Sequence, residues 1–277
     1  KRSMSRVTKH LEKIGAEVHI TKDDYLPLII SGSQQLLPMK HEIKKASAQI
    51  KSALILAALN IAGKTKIIEN TPTRDHTERL LKYLNVNFKI KNLQRMAKEI
   101  ELNGPYEIKA KNIVVAGDPS SASFFIVGAL IIPNSKITLK NIMLNPSRIE
   151  FIRVLKRMGG KITVKKSKKI CGEIIGNITV RYSKLNGVTI PRSDSAFLID
   201  EYPILSMAAS LAKGKTIMRG LNELRHKESD RIKSISVNLK KIGINVKVEN
   251  DDLLIIGKKL KLQKMIKIKS FNDHRIA

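Results

Sequence analysis

Residues 222–231 read Asn-Glu-Leu-Arg-His-Lys-Glu-Ser-Asp-Arg, a run of acids and cations that could hold an anion and move a proton. Lys227 and Arg231 stand four apart, so on a helix two cations share one face. That mildly destabilises an isolated helix, and an anion between them would reverse the sign. Glu228 lies next to both and could carry a proton while held among cations. The plainer reading is a solvated helix start, with Glu228–Arg231 and Lys227–Asp230 as weak surface pairs.

Other junctions carry similar side chains. Ala46-Ser47-Ala48-Gln49 opens an apolar helix, where Ser47 suits the N-cap and the free amides with Gln49 could bind phosphate. In Thr71–Glu78, Asp75 and Glu78 fit a capping box, which leaves Arg74 pointing from a loop. Asp118-Pro119 reads as an N-cap followed by proline at the first helical position. Asp200 and Glu201 stand before another apolar helix; Asp200 is either its N-cap or a general base at the wall of a cleft. Asp273-His274-Arg275 repeats the pattern, with a cation at a helix start where only an anion makes it favourable. Each motif has a structural explanation by itself. Junctions of this kind aimed at one cleft would make a polyanion site containing two carboxylates.

Such junctions need a scaffold. The 277 residues suffice for two domains, and 42% hydrophobic content with 4% aromatics and no Trp means aliphatic cores. One cysteine, Cys171, excludes disulfide frameworks and cysteine-rich zinc sites, and no histidine pair has metal-ligand spacing. The apolar runs are too short to span a bilayer and no signal-peptide pattern opens the chain, so a cytoplasmic location is the default. The net charge of +28 is spread along the whole chain, with few aromatics for base stacking and no nucleic-acid-binding motif. It points weakly to anionic ligands.

Four segments, 7–20, 79–90, 152–164 and 237–248, share an amphipathic helix that ends at Gly or Asn and leads into an alternating strand. They recur roughly 70–85 residues apart, the size of a βαβ-type unit. Three almost wholly apolar helices (49–62, 122–132, 202–212) precede short strands, and a helix apolar on all sides is expected to be buried on all sides. The pattern predicts a pseudo-repeated α/β unit. Gly63-Lys64-Thr65 and Gly214-Lys215-Thr216 resemble the end of a P-loop, but they follow helices and lack the earlier glycine, so they read as helix C-caps. The chain opens inside one unit and stops where another helix is about to begin, which reads as a fragment of a longer protein.

Residues 46–60, 73–79, 117–125, 199–205, 223–232 and 272–277 together resemble the 5-enolpyruvylshikimate-3-phosphate synthase family, in order and in approximate spacing, from end to end. The resemblance implies an α/β, two-domain enolpyruvyl transferase fold, built from repeated βαβαββ units around buried parallel helices. Residues 1–113 would be a partial first lobe on the shikimate-phosphate side and residues 114–277 a partial second lobe with the catalytic acids. It implies a transferase moving the enolpyruvyl group from phosphoenolpyruvate to the 5-hydroxyl of shikimate 3-phosphate with release of phosphate. This is a step of the shikimate pathway to chorismate and the aromatic amino acids. By motif, Ser47, Ala48, Gln49, Arg74, Asp200 and Lys227 would contact shikimate 3-phosphate. Arg2, Gln49, Arg231 and Arg275 would hold phosphoenolpyruvate, although the family usually has proline where Ser3 stands after Arg2. Asp200 and Glu228 would be the catalytic base and acid. No metal or cofactor, nucleic acid or membrane is implied, and the full-length protein is expected to be a monomer.

Three family features are missing: the amino-terminal Lys-Ser…Arg motif, the glycine-rich segment where glyphosate sensitivity is largely decided, and a lysine near the usual carboxyl terminus. The 277 residues alone are therefore expected to be inactive or nearly so. Two rivals remain. The UDP-N-acetylglucosamine enolpyruvyl transferase typically uses a loop cysteine, which Cys171 in a lysine-rich hairpin region does not match. A basic nucleic-acid-binding protein would show steeply salt-dependent binding.

Overall fold

A computed structural model describes residues 3–20, 24–44, 46–260 and 265–277, with Arg95 lacking a described side chain. The chain divides into two compact units, Lys1–Val114 and Val115–Ala277. In the first, α1 (Ser5–Lys13) leads into an antiparallel hairpin of β1 (Glu17–Ile20) and β2 (Leu28–Ser31). A complete βαβαββ unit follows: β3 (Lys40–Ile43), α2 (Ala48–Ala58), β4 (Gly63–Glu69), α3 (His76–Tyr83), β5 (Phe88–Asn92) and β6 (Lys98–Gly104). Its sheet order is β3-β4-β6-β5, with β3 and β4 parallel and the other pairs antiparallel.

The second unit holds two further copies. In one, α4 (Pro119–Ile131), β7 (Lys136–Met143), α5 (Glu150–Arg157), β8 (Lys161–Ile170) and β9 (Glu173–Arg181) form a sheet of order β7-β9-β8. A parallel bridge from Gly117 to Ile142 stands where the first strand would be. The other contains β10 (Thr189–Ile190), the short α6 (Ser195–Leu198), α7 (Tyr202–Leu211), β11 (Gly214–Met218), α8 (Arg231–Lys241), β12 (Asn245–Glu249) and β13 (Asp252–Gly257). Its order, β10-β11-β13-β12 with β10 and β11 parallel, repeats that of the first unit.

The repetition reaches single atoms. Gly63 pairs with Gly104, and Gly214 with Gly257. A Cβ on Gly104 would lie 2.5 Å from the carbonyl oxygens of Ala58 and Ile61, and one on Gly257 2.0 Å from that of Ala212. In both copies the end of the last strand therefore abuts the last carbonyls of the buried helix, which only glycine permits.

The four amphipathic helices end as the sequence predicts, on Gly15, Asn85, Gly159 and Gly243, all with positive φ. Gly63 and Gly214 are not C-caps. Leu59 and Ala212 occupy those positions, and the two glycines open strands with φ of 107° and 88°. The expectation of burial on all sides holds for α7, which has no exposed residue, but fails for α2 and α4. Leu56 is 52% and Phe125 66% exposed, because an apolar stripe is covered only where another element lies against it. The aliphatic cores are separate: Ile50, Leu54, Ile67 and Ile100 anchor the first, and Ile126, Leu155, Leu205 and Ile255 the second. No helix among the described residues is long and apolar enough to cross a membrane.

His41 of β3 is buried, with its ring edge-on to His10 of α1 at 5.7 Å between centroids. Burial first, then the charges of His10 and Lys13, pull its imidazole down to about 4. His10 is lowered as well, by burial and by Lys13. Between a folded value near 4 and an unfolded value near 6.5 the unfolded chain binds more protons. This contribution is therefore full above about pH 6.5 and is lost as pH falls towards 4. Urea denaturation should show stability falling between pH 6 and 5, and His41→Phe should reduce that slope by about 1 kcal/mol per pH unit. An unchanged slope would contradict the assignment.

Candidate functional site

Arg231, the first residue of α8, is 1% exposed. A guanidinium there is tolerable only if it is paired and hydrogen-bonded. Asp273 supplies most of that pairing. Its Oδ2 accepts from Nε at 2.8 Å and its Oδ1 from Nη2 at 3.2 Å. Glu228 Oε2 accepts from Nη2 at 2.6 Å, and Asp200 Oδ1 lies 3.5 Å from Nη1. Asp273 also receives the Ser229 hydroxyl at 3.0 Å and the Arg275 N–H at 2.9 Å. Burial pushes the Asp273 carboxyl up, but Arg231, the Arg275 amide and Ser229 outweigh it and hold it below the usual carboxylate range. The guanidinium thus has an anchored side, on buried Asp273, and a side turned to the more accessible Asp200 and Glu228.

The structure brings Asp200, Glu228, Arg231 and, through its backbone, Arg275 into one cluster, but not by the route the spacing predicts. Lys227 and Arg231 do not share a helix. Lys227 is extended (φ −92°, ψ −157°) after a 3₁₀ turn over Asn222–His226, and α8 starts four residues later. The helix begins there because Asp230 caps it, its Oδ1 accepting the Lys233 N–H at 3.1 Å, while Ser229 is engaged by Asp273. Nor do Glu228 and Arg231 make a surface pair, since the arginine is buried. Asp230 pairs with Arg225 at 3.5 Å. Asp200 does not cap α7: Glu201 occupies that position, and the Asp200 carboxylate is turned to Arg231.

In the first unit Ser47 caps α2, its Oγ accepting the Ile50 N–H at 3.3 Å, and Ala48 and Gln49 form the first turn. Gln49 Oε1 accepts from Arg6 Nη2 at 3.0 Å, so its oxygen is engaged and its NH₂ is the donor end. Beneath them Lys51, 1% exposed, pairs with Glu69 at 3.1 Å and with Glu78 at 2.8 Å. Glu69 also accepts the Thr73 N–H at 2.9 Å and the Thr73 hydroxyl, so the loop carrying Arg74 is tied to α2 through Lys51. The capping box is absent. Glu78 turns inward because the buried lysine needs it, and Asp75 pairs with Arg79 at 2.8 Å. Arg2 lies outside the described residues.

Two buried charge pairings escape the sequence reading. Asp273 reads only as a cap. The charges around Lys51 carry a signal, a lone lysine in an otherwise apolar helix, which demands buried counter-charges.

The family model for EPSP synthase (3-phosphoshikimate 1-carboxyvinyltransferase) matches residues 1–277. A 3-phosphoshikimate 1-carboxyvinyltransferase of Clostridium tetani is 43% identical over 276 residues, covering 100% of this chain and 61% of its own length. That of Zymomonas mobilis is 39% identical over 284 residues, with 100% and 62% covered. Among solved structures, an EPSP synthase from Acinetobacter baumannii superposes with a TM-score of 0.84 at 38% identity, covering 99% of this chain and 62% of that one. The enolpyruvyl transferase NikO from Streptomyces tendae shares the fold, with a TM-score of 0.65 at 14% identity over 91% of this chain and 58% of its own. The chain spans about three fifths of the length of the curated relatives it matches.

The Arg231–Asp273 pair gives a direct stability test. Asp273→Asn keeps the shape but removes the buried counter-charge, and should lower unfolding stability by about 3 kcal/mol in urea titrations at pH 7. A loss under about 0.5 kcal/mol would show that Asp273 is not what holds Arg231.

Proposed function

The chain belongs to the EPSP synthase family and has its α/β enolpyruvyl transferase fold of repeated βαβαββ units, and from that premise we propose that it supplies part of an enzyme transferring the enolpyruvyl group of phosphoenolpyruvate to the 5-hydroxyl of shikimate 3-phosphate. The observation that supports this most is the buried guanidinium of Arg231, which gathers Asp200 and Glu228. The proposed setting is the shikimate pathway to chorismate, in the cytoplasm, with the whole protein acting as a monomer.

Both substrates are anions and repel each other, so cations must hold them in register. In the first unit the roles assigned are these. Ser47, Ala48 and the first-turn amides of α2 take shikimate 3-phosphate, Gln49 donates its amide to either substrate, and Arg74 adds charge on the neighbouring loop. Arg2 keeps its assignment to phosphoenolpyruvate. In the second unit Lys227 contacts shikimate 3-phosphate, while Arg231 and Arg275 hold phosphoenolpyruvate. Because Asp273 engages Nε and one Nη2 hydrogen of Arg231, Nη1 can donate to a substrate oxygen without unseating the side chain.

The chemistry then divides between the two carboxylates. Asp200 takes the proton of the 5-hydroxyl as that oxygen bonds to C2 of phosphoenolpyruvate, and Glu228 delivers a proton to the methylene carbon, giving a tetrahedral adduct. In elimination the C2–O(phosphate) bond breaks and the new methyl group returns a proton to the Glu228 carboxylate, giving the enol ether and phosphate. The cations, in a site from which water is excluded, stabilise the charge that develops at C2 and on the leaving phosphate. An acid and a base working at the same pH require different surroundings, which the hydroxyl-facing and alkene-facing sides of the bound substrates would supply.

The test is calorimetric titration of shikimate 3-phosphate into the chain extended to the length of its relatives, with phosphate release followed after phosphoenolpyruvate is added. Asp200→Ala and Glu228→Ala should each lower turnover by about 10²–10⁴-fold, while shikimate 3-phosphate binding survives Glu228→Ala. No binding at low salt, or full turnover in either variant, would overturn the reading.

A further inference from the structure

Asp200 is followed by a second carboxylate, Glu201, that the proposed reaction does not use. Glu201 is 1% exposed, and Ser120 of α4, at 0%, donates its hydroxyl to Glu201 Oε1. Arg148, between β7 and α5, donates from Nη2 to Ser120 Oγ at 2.8 Å and to Asp118 Oδ1 at 2.7 Å. Asp118 in turn caps α4 by accepting the Ser121 N–H at 2.8 Å. The direction is fixed by inventory: a guanidinium only donates and a serine hydroxyl has one proton, so that proton goes to Glu201. The Glu201 backbone is held as well. Its N–H donates to the Leu198 carbonyl and its own carbonyl accepts from Leu205, both at 2.9 Å.

We infer that Glu201 is a positioning residue for Asp200, setting the direction of the neighbouring carboxylate by locking the turn before α7 onto the capped end of α4. The two adjacent acids have different partners, Glu201 the Ser120 hydroxyl and Asp200 the Arg231 guanidinium. Residues 199–201 form one turn. With Glu201 fixed in side chain and backbone, the turn has little freedom to redirect Asp200. The inference rests on Asp200 being the base of the proposed reaction, and misplacing such a group by about 1 Å costs roughly 10²-fold in rate.

A double-mutant cycle in the chain extended to its relatives' length decides this. Glu201→Ala should lower kcat about 10- to 100-fold with KM for both substrates within about threefold, and Glu201→Gln, which still accepts from Ser120, should retain kcat within about threefold. On an Asp200→Asn background Glu201→Ala should cost nothing more. An equal cost in both backgrounds would mean a merely structural role and overturn the inference. If Glu201→Ala does not fold, Ser120→Ala carries the same cycle. A crystal structure of whichever of these two variants folds should show Asp200 turned away from Arg231; Asp200 still at Nη1 would sink the idea. Full activity of Asp200→Asn would instead refute the base assignment, and the crystal structure would still decide whether Glu201 sets the direction of Asp200.

Discussion

Burying the guanidinium of Arg231 is the constraint around which the second unit is arranged. A charge removed from water must be met by opposite charge and by hydrogen bonds to its own donors, or the fold loses several kcal/mol. Meeting that demand recruits Asp273 from residues 272–277, Glu228 from the segment before α8 and Asp200 from the turn before α7. Three pieces of chain distant in sequence converge because one cation requires them. The same demand fixes where α8 starts, since Ser229 serves Asp273 and Asp230 is left to cap.

The first unit uses a buried cation in the same way: Lys51 joins α2 to β4 and α3 through Glu69 and Glu78. Arg148, whose partner Asp118 is exposed, ties the start of α4 and reaches the start of α7 through Ser120 and Glu201. An aliphatic core with few aromatics packs well but specifies direction poorly. Buried charge pairs supply registration, since a slipped helix would leave them unmatched. Lys51 and Arg231 sit next to segments that the family resemblance associates with substrate, so what holds the scaffold there also sets the placement of the groups that would do chemistry.

Much of the fold was legible in the residues. Gly15, Asn85, Gly159 and Gly243 announced their left-handed terminations, because few other residue types accept positive φ. Ser47, Asp118 and Pro119 announced helix starts for equally local reasons. Interactions decided by distant partners were not legible. Asp75 and Glu78 have capping-box spacing, yet a lysine 27 positions earlier claims Glu78. Lys227 and Arg231 have helical spacing, yet Asp273, 42 residues on, and the cap at Asp230 end that helix between them. Local pattern loses wherever a buried charge needs a remote partner, and those were the places where the candidate site lies. Glu201 shows the same point, since no periodicity distinguishes this buried acid from the more accessible Asp200 beside it.

The measurement that bears most directly on this account is phosphoenolpyruvate affinity, in the presence of shikimate 3-phosphate, for Arg231→Lys in the chain extended to the length of its relatives. Lysine keeps the charge but cannot grip Asp273 through two nitrogens and face a substrate with a third. The account predicts binding weakened by about 100-fold or more, near 2.7 kcal/mol, with the protein still folded. Unchanged affinity would contradict it, and the guanidinium would then be a structural cation with no part in holding substrate.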